Sequence, residues 1–433
     1  MLRWWRSSWW RYLKGVWTLT PTAEIESDLS GYMARLSRQC GEQLRRDVLA
    51  GLQGVNLCGL TGVEMPCFLS SSGEDLESAE GWIAVGDKLI HPMRLTAGGV
   101  NAIRKATPRF FSTHALRYGF DLKATCPQWE AALSQWHPDL ETRRHLQMMA
   151  GLAISGDKRH NVFFVLPSLP GTGKSTFADV LAAVIGRSNI SNFTLSSLGD
   201  KSTLGVLCRS SLAICRDSEG ERDRGDLAAA EEFLKLASGG EEVSVRELHR
   251  NGYSTKCRAL IVMFANELPG FRDRTKALQS RMRVIPFHHV FRDSKEEVLG
   301  LSALIIEKEL PGVLNWALEG AAMAAEMITR RERFPELEEG RRWRETHFIQ
   351  SDSARAFIAE HLQKAAADSQ SPDILARQLF SEYQKWAKEG GYSSVPENHF
   401  VKAVKTAFPE ATNMKKQCNG KRQQVWSGIA RQA

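Results

Sequence analysis

The chain has 433 residues, 42% of them hydrophobic and 25% charged, with 57 Lys and Arg against 50 Asp and Glu for a formal net charge of +7. This is an ordinary globular balance, long enough for roughly two or three domains, and no stretch holds the ~20 consecutive apolar residues of a membrane helix. The basic excess suits an anionic partner such as nucleic acid but does not identify one.

The opening MLRWWRSSWWRYLKGVW lacks the apolar run and small-residue cleavage site of a signal peptide, so a cytoplasmic protein is expected. It sets Trp4, Trp5, Trp9, Trp10 and Trp17 among Arg3, Arg6, Arg11 and Lys14. Such interleaving suits base stacking with phosphate contact; a small hydrophobic cluster or subunit contact with a charged outer face is the simpler reading. Residues 1–110 mix strand-like and helical stretches, a mixed α+β domain for oligomerisation or DNA entry. The eight cysteines (40, 58, 67, 126, 208, 215, 257 and 418) include no C-x-x-C pair, so reduced structural thiols are expected rather than a zinc ribbon. His288 and His289 are adjacent and would point to opposite faces of a strand, so they are read as structural.

Residues 111–155 read as a helical collar region, with Trp129, Leu133 and Trp136 spaced as one apolar helical face. Residues 156–335 read as an α/β nucleotide-binding core. NVFFVLPS (161–168) is a buried strand and KSTFADVLAAVIG (174–186) the helix after it. SLAICRDS and ALIVMFAN are short apolar runs of the kind buried parallel strands give. Between them, DLAAAEEFLKLASGG is a helix stopped at Gly239-Gly240. RRERFPELEEGRRWRE reads as a charged linker.

Residues 350–433 form a separate unit. A helix is expected from Ser371 as N-cap and Pro372 at its first position, with Leu379, Tyr383 and Trp386 as its apolar stripe. A second helix carries Phe400, Val404 and Phe408, and a hairpin turns at Asn419-Gly420. Helix, helix, basic hairpin is the order of a winged helix.

The stretch PSLPGTGKSTF (167–177) follows a strand and opens a helix, as a phosphate-binding loop does. Gly171 and Gly173 allow a tight curl of backbone N–H groups, with Pro170, Thr172 and Thr176 completing the loop. Lys174 adds charge for the outer phosphates of ATP, and the Ser175 hydroxyl suits Mg²⁺. The pattern departs at Ser168, where glycine is usual, but that position only begins the turn and serine is tolerated there. A metal-holding acid is needed on a neighbouring strand. Asp217 at the end of SLAICRDS meets that need, with Glu219 on the same side of an extended chain as general base and Glu221 as an alternative. Asn266 ends ALIVMFAN and could orient water, and Arg281 or Arg283 could complete a neighbouring subunit's site.

From CPQWEAALSQW through PSLPGTGKST, LKLASGGEEVSVR, FANELP and RMRVIPF to KELPGVLNWALEG, the chain resembles superfamily 3 AAA+ helicases of the phage, plasmid and poxvirus primase-helicase family, over roughly residues 80–433. The resemblance implies an AAA+ core, a homo-oligomeric ring, usually a hexamer, with ATP between subunits. It assigns Lys174, Ser175, Asp217 and Asn266 to nucleotide, Mg²⁺ and sensor, and Arg281 to the arginine finger. It also implies a pore hairpin at 243–258, where Arg246, His249, Arg250, Lys256 and Arg258 would contact DNA phosphates; Asn251-Gly252 suits its tip. Lys402, Lys405, Lys421 and Arg422 would give the winged helix its DNA contacts. Ser218 breaks the paired acids of many relatives, and about 110 N-terminal residues without zinc-ligand spacing are too few for primer synthesis, leaving a separate primase as a candidate partner.

The expectation is an ATP-driven helicase translocating on single-stranded and forked DNA. The alternatives are a nucleotide-gated replication initiator or clamp with little unwinding, and a remodeller of other proteins, against which the basic hairpin argues.

Overall fold

The computed structural model describes residues 1–36, 41–54, 59–60, 63–69, 78–99, 101–216, 226–246, 252–265, 271, 277–295, 297–351, 353–365, 373–389, 394–418 and 421–432. The chain starts with a meander of β1 (Leu2–Trp5), β2 (Ser8–Leu13) and β3 (Val16–Thr20). Helices α1 (Thr22–Arg35) and α2 (Glu42–Gln53) follow, and β4 (Gly59–Leu60) returns parallel to β1. The tryptophans are core residues: Trp5, Trp10 and Trp17 surround Phe111, while Trp9 packs with Ile25 of α1 and Leu49 of α2. All four are at most 8% exposed, and Trp4, the fifth, is half-buried against Trp9, so they offer no base-stacking strip.

Next come β5 (Cys67–Phe68), β6 (Ile83–Val85), β7 (Lys88–Ile90), the short α3 (Pro92–Thr96), β8 (Ile103–Lys105), β9 (Phe110–Phe111) and β10 (Ala115–Leu116). A small sheet in the order β10-β6-β7-β8 joins this region to the central core.

That core begins with α4 (Pro127–Trp136) and α5 (Leu140–Ser155). A five-stranded parallel sheet follows, in the order β12-β13-β16-β11-β17, from β11 (Phe163–Pro167), β12 (Ile190–Phe193), β13 (Leu212–Arg216), β16 (Leu260–Ala265) and β17 (Met282–Val284). Its helices are α6 (Lys174–Ile185), α7 (Lys201–Arg209), α8 (Asp226–Gly239) and α9 (Ala277–Arg281). The antiparallel hairpin β14 (Glu242–Val245) and β15 (Tyr253–Lys256) interrupts the series before β16.

The sheet is buried on both faces, which is why its strands read as unbroken apolar runs. Strand alternation sends Phe164, Leu166, Ile214 and Val262 into the cluster with α4, α5 and α6, and Phe163, Val165, Ala213 and Met263 into the one with α7 and α8. Helix α8 stops where Gly240 takes a φ of 67° and Glu241 N–H donates to Leu236 O at 3.0 Å, a Schellman closure.

Helix α10 (Leu301–Thr329) accounts for KELPGVLNWALEG. Buried Glu309 accepts N–H bonds from Gln128 at 3.0 Å and Trp129 at 3.1 Å, capping α4, whose own N-cap residue offers no side-chain bond. Asn315 donates to the carbonyls of Asp121 and Ala124, both at 2.9 Å. A Cβ at Gly320 would lie 1.9 Å from Gln147 O of α5, and one at Gly312 2.1 Å from Thr125 O, so the helix packs backbone against backbone.

The stretch expected as a linker is instead part of the core. Phe334 is 2% exposed, and α11 (Glu338–Ser351) packs Gly340 against Val284 O of β17. Its charges pair within the helix, Arg341 and Arg342 with Glu338, so a charged sequence covers an apolar contact on its other side.

The C-terminal unit holds α12 (Ser353–His361), β18 (Leu362–Lys364), β19 (Ile374–Leu375), α13 (Ala376–Glu389), α14 (Glu397–Ala407), β20 (Thr412–Cys418), β21 (Lys421–Ser427) and β22 (Ile429–Arg431). Helix α13 starts at Ala376, later than expected, because Ile374 and Leu375 pair with Trp426 and Val425 of β21 as an extra strand; Ser371 and Pro372 lie outside the described residues. Tyr383 and Phe400 stack at 4.7 Å between α13 and α14. The hairpin pairs through Cys418 and Lys421, and Asn419-Gly420 lies outside the described residues. No helix among the described residues is long and apolar enough to cross a membrane.

Candidate functional site

Parallel pairing puts the carboxyl ends of β11, β13 and β16 on one edge of the sheet. Pro167 is level with Ala265, and Arg216 with Phe264. Ligand crevices in open α/β sheets form at this edge. Asp217, Glu219, Glu221 and Asn266 follow in the chain but lie outside the described residues.

The loop after β11 lies wholly within the described residues. Ser168 continues the strand: its N–H donates to Ala265 O at 3.1 Å, and it bridges to Phe287 beyond β17. The glycine usual at this position is therefore not needed for a left-handed turn. The Ser168 hydroxyl is buried without a hydrogen-bond partner among the described residues. Left-handed conformation is confined to Gly171 and Gly173, with φ of 85° and 84°. Thr172 is buried and its hydroxyl donates to Leu169 O at 3.0 Å, clamping the curl. Phe291 N–H donates to Gly171 O at 2.8 Å, tying the loop to the chain after β17.

Helix α6 begins at Lys174, with Gly173 as its N-cap and no capping side chain, so its first N–H groups face the loop. Lys174 is half-buried and Ser175 exposed. Pro170 through Thr176 line a cleft of about 360 Å³. Its far walls are Gln135 and Trp136 of α4 and Phe291, Arg292, Glu297, Val298 and Leu301. Such a cleft, with a glycine-rich loop, a lysine and a helix N-terminus without a side-chain cap, has the chemistry of an anion site.

Sequence reasoning missed the far wall. Trp136 was legible only as a core position, yet a Cβ at Gly173 would lie 2.4 Å from its Nε1. Arg292 lies in an irregular segment with no periodicity, and its Cβ closes on Gly171.

Arg281, at the end of α9, donates to Lys235 O at the end of α8 and lies 3.8 Å from Glu241. Arg283 is buried in β17 and donates to the carbonyls of Ser280 at 2.8 Å, Phe334 at 3.0 Å and Pro335 at 3.1 Å, which excludes it as a finger. His288 pairs with Glu339 at 2.6 Å.

Arg246 and Lys256 are exposed on the hairpin, and its tip, with His249, Arg250 and Asn251, lies outside the described residues. Arg258 differs from expectation. It follows the hairpin, where the chain turns inward; a Cβ at Gly156 would lie 3.2 Å from its guanidinium, and burial lowers its pKa to about 10. That placement is off the hairpin surface. Arg6, from the β1–β2 turn, donates to Thr255 Oγ1 at 2.6 Å and pairs with Glu64 at 2.9 Å, joining the N-terminal sheet to β15. In the C-terminal unit Lys402, Lys405 and Arg422 are exposed, the side chain of Lys421 is not described, and Lys416 is held by Asp373 at 2.8 Å.

A family of unknown function (DUF5906) matches residues 166–281. Among solved structures, the A form apo structure of the NrS-1 C-terminal region is similar over 97% of this chain and 95% of that one, at 11% identity and a TM-score of 0.53. An apo structure of NrS-1 residues 305–718 is similar over 97% and 93%, at 10% identity and a TM-score of 0.53. A further A form structure of that region gives 98% and 95%, at 10% identity and 0.51. At these identities the likeness is one of fold.

Proposed function

We propose that this chain is an ATP-driven, ring-forming DNA helicase, related to the superfamily 3 AAA+ proteins, that moves on single-stranded DNA in the replication of a phage, plasmid or other mobile element. The observation that carries this reading is the loop between β11 and α6: two left-handed glycines, a helix N-terminus with no side-chain cap and Lys174 line one cleft at the carboxyl edge of a parallel sheet. The basic hairpin leaving the same core supports DNA as the polymer moved.

Nucleotide phosphates would sit against the curl that Gly171 and Gly173 form in left-handed backbone, at the N-terminus of α6. Lys174 would add a positive charge to the outer phosphates. Ser175 and Asp217 would hold Mg²⁺, which supplies charge neutralisation on the phosphates. Glu219 would accept the proton of the attacking water, and Asn266 would orient it. Arg281 would act on the neighbouring subunit's site after leaving its contact with Lys235 O. Arg246 and Lys256, with His249 and Arg250, would take phosphates of the translocated strand. Lys402, Lys405, Lys421 and Arg422 would bring duplex DNA to a C-terminal winged helix. Contacts to phosphate alone make movement sequence-tolerant and salt-sensitive.

The test is ATPase turnover with and without single-stranded DNA, beside fork unwinding, for wild type, Lys174→Ala and Glu219→Gln. Stimulated turnover with unwinding, both lost in Lys174→Ala, supports the motor. Ser218 between the two acids favours a second reading, a nucleotide-gated initiator or clamp. DNA binding without turnover would select it and reject the motor.

A further inference from the structure

Eight scattered cysteines suggest inert thiols, but the fold brings two of them together. Cys208 lies in the last turn of α7, and Cys257 in the turn from β15 to β16. Arg258 N–H donates to Cys208 O at 3.4 Å, which sets the two backbone positions side by side. Both side chains are buried, and the Cys208 thiol hydrogen-bonds to the Cys257 sulfur.

The environment is unequal. The Cys257 sulfur also accepts from Ala259 N–H and has the Lys158 ammonium nearby. Lys158 is itself half-buried and donates to Ala259 O at 2.8 Å. Donors and a cation converging on one sulfur favour its thiolate. The hydrogen bond from Cys208 and the nearby ammonium hold the Cys257 pKa below the ordinary thiol value; Cys208 is pushed up by that same bond and by burial. A purely structural cysteine needs neither a second thiol nor a neighbouring lysine. A cavity of about 680 Å³ between the N-terminal region and α10 is lined by Ser155, Gly156, Lys158 and Arg258, the last of which follows Cys257 directly in the chain.

We propose that Cys208 and Cys257 are a peroxide-sensitive disulfide site, with Cys257 as the attacking sulfur and Cys208 as the resolving one. The Cys257 thiolate attacks one oxygen of hydrogen peroxide and the O–O bond breaks. The departing hydroxide takes up the proton that Cys257 released, leaving water and a sulfenic acid. The Cys208 sulfur then attacks the sulfenic sulfur, the S–O bond breaks, and the hydroxyl leaves as water with the Cys208 proton. Two thiols lose two electrons and one peroxide becomes two waters. The bond ties α7 to the turn beneath the basic hairpin, whatever that hairpin binds.

The experiment treats the reduced full chain with limiting hydrogen peroxide, alkylates free thiols in denaturant, and maps non-reduced peptides by mass spectrometry. Buried Cys126, whose pKa is pushed up to about 12, is the internal reference. The expected result is a Cys208–Cys257 linked peptide that forms before Cys126 is lost and disappears with dithiothreitol. Cys208→Ser should leave a sulfenic acid on Cys257 that dimedone traps. Lys158→Met should slow linkage about tenfold, one pKa unit of thiolate character. Alkylation of both cysteines in the treated wild type would overturn the site, whether or not any variant folds. Sulfenylation of Cys208 in preference to Cys257 would overturn the assigned roles.

Discussion

Gly173 and Trp136 meet across the loop: a Cβ on the glycine would lie 2.4 Å from the indole Nε1, at a backbone φ of 84°. Overlap and left-handed strain therefore act together at one position. Gly173→Ala should lower stability by about 1–3 kcal/mol and abolish nucleotide binding. Urea unfolding and titration with a fluorescent ATP analogue check this. Wild-type affinity in the variant would remove the loop from the proposed site.

Ser168 behaves differently. It is extended, hydrogen-bonded into the sheet edge, and carries a buried hydroxyl without a partner among the described residues. Ser168→Ala should leave turnover near wild type and raise stability by up to about 1 kcal/mol, since an unsatisfied buried group is removed. A large loss of turnover would mean that the hydroxyl serves the ligand.

Arg281 and Arg283 are close in sequence and opposite in environment. Arg283→Ala would leave the carbonyls of Ser280, Phe334 and Pro335 without their donor, and should cost about 2–4 kcal/mol in thermal or urea unfolding. Arg281→Ala should cost under about 1 kcal/mol, because its ion pair is weak and partly exposed, and yet it should suppress ATPase turnover. Adding wild-type subunits to Arg281→Ala should restore turnover at mixed interfaces. Full activity of Arg281→Ala alone would rule out the finger.

Glu309 joins the start of α4 to α10 from a buried position. Glu309→Ala should destabilise by about 2–4 kcal/mol, with Glu309→Gln milder because an amide oxygen still accepts. Equal urea midpoints for wild type and Glu309→Ala would show that the cap contributes nothing.

Two histidines, His137 buried and His114 half-buried, predict acid sensitivity. Burial, with the Arg258 charge in support, lowers His114 from 6.5 to about 4, although its ring N–H donates to Arg209 O at 2.5 Å; His137 is lowered to about 4, again chiefly by burial. Between pH 6.5 and about 4 the unfolded chain therefore binds more protons than the folded one. Stability should fall as pH drops through that window and show no such loss above it, with a limiting slope of about 1.4 kcal/mol per pH unit for each histidine. Replacing His114 by Gln should flatten the slope, as read from urea midpoints across the range.

The core strands were legible because a sheet buried on both faces needs continuous apolar runs, and NVFFVLPS, SLAICRDS and ALIVMFAN supply them. The loop was legible because glycine is the residue type that takes left-handed backbone without strain. Arg258, the stretch after Thr329 and the start of α13 were misread for one reason. Each is decided by what packs on it from a distant part of the chain, namely Gly156, Val284 and β21.

Local chemistry, then, belongs to the sequence: periodicity sets strand or helix, and glycine spacing with Lys174 and Ser175 sets the kind of ligand a turn can take. Tertiary structure decided the rest. Trp136 becomes the wall of a cleft, Glu309 a cap, Arg283 a buried tie, and Cys208 a neighbour of Cys257. Each pairing joins residues far apart in the chain, and only the folded path brings them within van der Waals or hydrogen-bond reach.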